Sequence, residues 1–217
     1  VLDVIIPIPI SNLELVPDSL HSFQDCTDIP YRLLGIVDGG IREDLYDVER
    51  VFHGCECDWK LLHNEEPKQL NGTIREALEE CSFNIIVMMG PEVRLMDRQW
   101  FAKVKAILDR DPAVGVIDTW PDTKSTTLPP VRRSRRSLCP PGSRFAVLRR
   151  GFAMMRLPYG EVDPVAHWSS MGMSGGWSSW TAPGIRYIEA EHEEHELWRA
   201  PLDGKERSES QSLMTPD

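Results

Sequence analysis

The run RRSRR gathers Arg132, Arg133, Arg135 and Arg136 into one short stretch of an otherwise acidic chain. Guanidinium forks match phosphate oxygens two at a time, so the cluster suits a phosphorylated ligand; an exposed loop that meets an acidic partner or a nucleic acid is the other reading. A second stretch, HWSSMGMSGGWSSW, sets Trp168, Trp177 and Trp180 among small residues. Indole faces stack on sugar rings or bases, which suits an acceptor pocket, and the same rings equally suit core packing. In EHEEHE, His192 and His195 stand among glutamates. Imidazole and carboxylate can hold a metal, but the spacing is not the HExxH of a zinc protease, and a solvated charged face is the alternative. Cys55-Glu-Cys57 lacks the second pair that a zinc site needs, so the five cysteines read as reduced thiols.

The elements that must position these groups follow from hydrophobic periodicity. LDVIIPIPI is a β-branched run stopped by proline, YRLLGIVDGG a strand ending in an Asp-Gly-Gly turn, and WKLLHN, NIIVMM and AVGVID are three more strands. Between them lie amphipathic stretches: residues 16–25, then a face of Ile41, Leu45, Val48 and Phe52, then Ile74, Ala77, Leu78 and Cys81, and finally DRQWFAKVKAILDRD. Strands apolar on both faces, alternating with helices, predict an α/β fold with a mostly parallel central sheet flanked by helices. Residues 119–143, rich in proline and arginine, read as a long loop. RFAVLRRGFAMM resumes as strand and short helix, and GIRYIEAEHEEHELW as a last strand entering an acidic segment.

In order and spacing these pieces resemble a GT-A fold glycosyltransferase, most like the inverting family 2 enzymes, over roughly residues 2–195. The resemblance implies a single GT-A-like domain at 1–200, with a nucleotide-binding half at 1–118, the basic loop at 119–143, an acceptor half at 144–200 and a flexible tail at 201–217. Pro7 matches the proline that closes the family's first strand. Asp38 and Gly39 in IVDGG match the family's Val-Asp-Asp-Gly-Ser, whose aspartate accepts hydrogen bonds from the uracil ring. Asn64, Asn71 and Gly72 in HNEEPKQLNGTIREAL match its third block. In MMGPEVRLMDRQWF the surroundings of the family's Asp-x-Asp turn are kept, with Gly90 and Glu92 where the two aspartates would stand.

By that resemblance the donor is a nucleotide-diphosphate sugar, bound by Pro7, Asp38, Gly39, Asn71 and Glu92 with the arginines of the basic loop. A divalent ion, Mn2+ or Mg2+, would be weakly held by Glu92 with His192 or His195. The family's Glu-Asp base falls on residues 171–174, where no carboxylate stands; Glu161 and Asp163 are the nearest substitutes. The function implied is glycosyl transfer to an acceptor (glycan, protein or nucleic acid) with an atypical or absent metal site. The alternative is a GT-A-like domain that binds a nucleotide, sugar or partner without catalysis. A nucleotidyltransferase is disfavoured, since no Gly-rich loop with a following Lys comes after the first strand.

The bulk numbers set limits. A length of 217 residues supports one large domain, and 41% hydrophobic with 27% charged residues is globular. A net charge of −10 argues against coating nucleic acid through the overall field. VLDVIIPIPI has no basic n-region and is broken by prolines, so it reads as a strand rather than a signal peptide, and no apolar run is long enough to span a bilayer. The expectation is a cytoplasmic protein.

Overall fold

β1, Leu2–Pro9, is buried along all but its last residue, as an unbroken β-branched run requires of a strand covered on both faces. Its even-numbered residues Leu2, Val4, Ile6 and Ile8 join one hydrophobic layer and Ile5 the other, the period of two that a pleated strand imposes. The computed structural model describes residues 1–119, 130–132, 144–158, 162–171, 176–182 and 184–190.

From β1 the chain alternates through α1 (Val16–Cys26), β2 (Tyr31–Asp38), α2 (Leu45–His53), β3 (Asp58–Asn64), α3 (Gln69–Glu80), β4 (Ile85–Met89), β5 (Val93–Leu95), α4 (Trp100–Arg110) and β6 (Val114–Asp118). It continues through β7 (Val131–Arg132), β8 (Phe145–Arg149), α5 (Arg150–Met155), α6 (Pro164–Met171), β9 (Ser178–Thr181) and β10 (Tyr187–Glu189). The main sheet has the order β3-β2-β1-β4-β8-β6-β9-β7. β1 runs parallel to β2 and β4, β2 to β3, and β6 to β9, while β8 runs antiparallel between β4 and β6 and β7 antiparallel on the edge. β5 and β10 form a separate antiparallel pair.

Helices cover both faces. Val16, Leu20 and Phe23 of α1, Val48 and Phe52 of α2, and Trp100, Val104 and Ile107 of α4 fill one layer. Ile74, Ala77 and Leu78 of α3, Phe152 of α5, and Val165 and Trp168 of α6 fill the other. Each set recurs at three- and four-residue steps, the apolar stripe of a helix laid on a sheet. Ile41 departs from the expected face of α2. It precedes the helix and is 62% exposed, its N–H bonded to the Asp44 carboxylate at 3.0 Å.

The layers are close-packed at Gly35 in the middle of β2. A Cβ there would lie 2.5 Å from Cζ of Phe52 and 2.7 Å from Cδ1 of Leu61. Gly35→Ala is therefore expected to destabilise the protein by about 1–3 kcal/mol, read as a lower urea midpoint.

The far edge of the sheet is held by Asp111, just before β6. Its Oδ2 accepts bonds from Ser178 Oγ at 2.6 Å and Trp180 Nε1 at 2.9 Å. Burial pushes its carboxyl up, but these bonds, the Ala113 N–H and the Arg132 charge outweigh it and leave it below its ordinary value. A carboxyl held low when folded contributes stability that is present above its unfolded value, about 3.9, and lost as pH falls through the folded one. Asp111→Asn is thus expected to lower the urea midpoint at pH 7, with the gap to wild type closing as the pH drops below about 4.

Candidate functional site

Pro7 and Pro9 shape the site from the first strand. Proline offers no N–H to a neighbouring strand, and the pairing of β1 with β4 ends at Ile5, although β1 itself runs on to Pro9 against β2. Beyond Ile5 the two strands part. The gap is a shallow cleft of about 400 Å³, solvent at its mouth included, lined by Pro7, Pro9, Leu70, Met88, Gly90, Pro91, Glu92, Arg144, Asp163 and Pro164. It lies at the carboxyl ends of parallel strands, where α/β sheets place their ligands.

One side is set by strand register. Pro9 stands opposite Asp38, and Asp38 opposite Asn64, so the ends of β1, β2 and β3 align. Asp38 is only 7% exposed. Its Oδ1 accepts the Asn64 side-chain N–H at 3.2 Å and the Lys68 backbone N–H at 2.9 Å. Both bonds fall on the same oxygen; Asp38, like Gly39 and Asn71, stands beside the cleft and is not among the residues that line it. Gly39 and Gly40, at φ +92° and +83°, let the chain turn sharply away from β2 in a conformation that side chains resist. Asn71 on α3 donates to the Val162 carbonyl at 2.8 Å, which ties down the segment ahead of Asp163. Asp163 lines the cleft and caps α6, its Oδ1 accepting the Ala166 N–H at 2.8 Å.

The other side is the turn after β4. Glu92 is 4% exposed, and its Oε1 lies 3.0 Å from Nε of Arg144. The carboxylate folds back over Gly90 so closely that a Cβ on that residue would sit 2.6–2.7 Å from its atoms. The backbone fixes this arrangement: Gly90 N–H donates to the Arg144 carbonyl at 2.8 Å, and Ala190 N–H to the Glu92 carbonyl at 2.9 Å. Ser19 Oγ also reaches the Gly90 carbonyl, at 3.4 Å.

Arg144 is the site residue that sequence reasoning missed. Because β8 is antiparallel and Phe145 is opposite Met89, the residue just ahead of β8 must stand beside Gly90. The available signal was a basic residue heading an apolar strand, but its meaning depends on the strand direction, which composition does not encode.

Several expected site residues are placed elsewhere. Arg132 does not reach the cleft; it lies on the edge strand β7 with Nε 3.4 Å from Asp111, toward the opposite end of β6. Trp168 is fully buried under the sheet, Trp180 is 4% exposed and bonded to Asp111, and Trp177 packs on Phe152 with ring centres 5.5 Å apart. None of the three lines the cleft. Glu161, Arg133, Arg135, Arg136, His192 and His195 fall outside the described residues.

A divalent ion does not fit the described residues. The single carboxylate at the turn is buried against a guanidinium, and among the described residues there is no group of three or more His, Cys, Asp or Glu side chains that could share an ion. Nor, among them, is any helix long and apolar enough to cross a membrane.

No protein-family model matches the sequence, and no curated protein does. Solved structures do match in shape. The mannosyltransferase PcManGT from Pyrobaculum calidifontis, solved with GDP-Man and Mn2+, aligns over 89% of this chain at 16% identity and a TM-score of 0.69. TarS of S. aureus, solved with UDP-GlcNAc, aligns over 88% at 12% identity and 0.65. GalNAc-T7, solved with UDP, GalNAc and Mn2+, aligns over 88% at 12% identity and 0.67. The chain spans 58%, 59% and 44% of these three, in that order. At such identities the likeness speaks for architecture: a mostly parallel sheet between helices, with its cleft at the strand ends, is the GT-A fold of the nucleotide-sugar glycosyltransferases.

Proposed function

We propose that this chain is a glycosyltransferase that takes a sugar from a nucleotide-diphosphate donor laid across the ends of β1, β2 and β4. The observation that carries this reading is Asp38: one carboxylate oxygen is held by Asn64 and Lys68, which leaves the other for a nucleobase N–H, at the position that the resemblance gives to the base-binding aspartate. Pro7, Gly39 and Asn71 shape and brace that edge. The turn of Gly90 and Glu92 then lies under the diphosphate. Asp163 faces the cleft and can take the acceptor proton through Oδ2 while Oδ1 stays on its helix. The acceptor is a glycan, protein or nucleic acid, and the cytoplasm is the compartment consistent with free thiols at Cys26, Cys55, Cys57 and Cys81.

The second reading, a domain that binds a nucleotide sugar without transferring it, is favoured by the helix-capping bond of Asp163. Calorimetry with uridine and guanosine diphosphates, followed by donor-hydrolysis assays with the matching nucleotide sugars, separates the two. Binding with release of free sugar, lost in Asp163→Asn, supports the enzyme. Binding with no release at all supports the second reading. Absence of binding refutes both.

A further inference from the structure

The Glu92–Arg144 pair is unusual for where it stands. Both members line the cleft and both are largely buried, at 5% and 14% side-chain exposure, while the turn beside them is also held by backbone bonds. Two carboxylates with a divalent ion sum to no net charge; so do one glutamate and one arginine. The second arrangement leaves its cation covalently attached to the chain.

The two arrangements compete for space here. A side chain at position 90 would have to displace the Glu92 carboxylate, the end of a flexible side chain, from its place beside Arg144. A guanidinium carries five N–H donors, and the ion pair with Glu92 is closest at Nε. Such a fork suits paired phosphate oxygens better than a point charge does.

We infer that Arg144 is the cation that receives the donor's diphosphate in this cleft, in the place a divalent ion would otherwise take, with Glu92 as its resting counter-ion. The inference rests on the nucleotide-sugar reading above. Glu92 keeps the guanidinium from being buried unpaired while the cleft is empty, and it competes with phosphate when the cleft is filled.

That competition gives the two possible roles of Glu92 opposite signs. Titrating UDP and GDP into wild type is expected to give the same affinity, within about twofold, in EDTA and in Mn2+. Glu92→Gln removes the competing charge and is expected to tighten diphosphate binding about threefold or more. Arg144→Gln is expected to weaken it about tenfold or more while uridine or guanosine binding holds, with circular dichroism to show that the variant is folded. Affinity that rises tenfold with Mn2+, or a Glu92→Gln variant that binds more weakly, overturns the role of Arg144 and leaves the donor site standing. Failure of wild type to bind either diphosphate overturns both.

Discussion

Asp38→Asn is expected to weaken UDP or GDP binding by about ten- to a hundredfold, the worth of a hydrogen bond to a charged acceptor, with little change in the urea midpoint. The two effects separate because of how the carboxylate is used. Oδ1 accepts from both Asn64 and Lys68, and an asparagine keeps an oxygen there, oriented by the same two donors. The amide nitrogen then replaces Oδ2. A base N–H that met an acceptor meets a donor instead, so the loss falls on the ligand and not on the fold. Asp38→Ala lacks this selectivity, since it also leaves Asn64 and Lys68 without their acceptor. Calorimetry beside urea unfolding reads both arms. A variant that binds as tightly as wild type would mean that the base is held elsewhere.

The largest effect on stability is expected at the other end of the sheet. Asp3 is completely buried. Its Oδ1 lies 2.7–2.8 Å from the Arg32 guanidinium, and its Oδ2 accepts the Ser82 and Phe83 backbone N–H groups at 2.7 and 2.8 Å. The carboxylate thus joins β1, β2 and the loop entering β4. Asp3→Ala strands a partly buried arginine and two backbone donors, at a cost of about 3–5 kcal/mol, a large share of the ~5–15 kcal/mol that holds a typical domain folded. Urea unfolding measures it. Because the cleft is at the opposite strand ends, the folded fraction of this variant should keep wild-type nucleotide affinity, which a change spreading through the sheet would not allow.

The alternating half of the fold was open to reading because each of its elements is long enough to show a period. β1, β2, β3, β4 and β6 are the five apolar runs recognised in the first part of the chain, and α1 to α4 are the stripes between them. What escaped lacks that signal. β5 and β10 are three residues each, too short to alternate. β9 is Ser-Ser-Trp-Thr, buried although polar, with the Ser178 hydroxyl and the Trp180 indole N–H both bonded to Asp111. α6 lies in a stretch whose tryptophans suit stacking as well as packing, and Trp168 supplies part of its buried face. At the site the same division holds. Asp38 and the Gly90 turn sit at the ends of periodic strands and could be located by counting. Arg144 depends on an antiparallel strand inserted between parallel ones, a fact of topology that no local pattern carries.

Gly90 also bears on how such a turn changes over generations. Two of the four glycine codons lie a single base from an aspartate codon, so the change from glycine to aspartate is a short step for a gene. By itself that step would push the Glu92 carboxylate off its place beside Arg144, for the new side chain and the old carboxylate claim the same space. Altering Glu92 first leaves Arg144 without its counter-ion. The effect of a change at either position thus depends on the other, so positions 90, 92 and 144 are expected to vary together across related sequences.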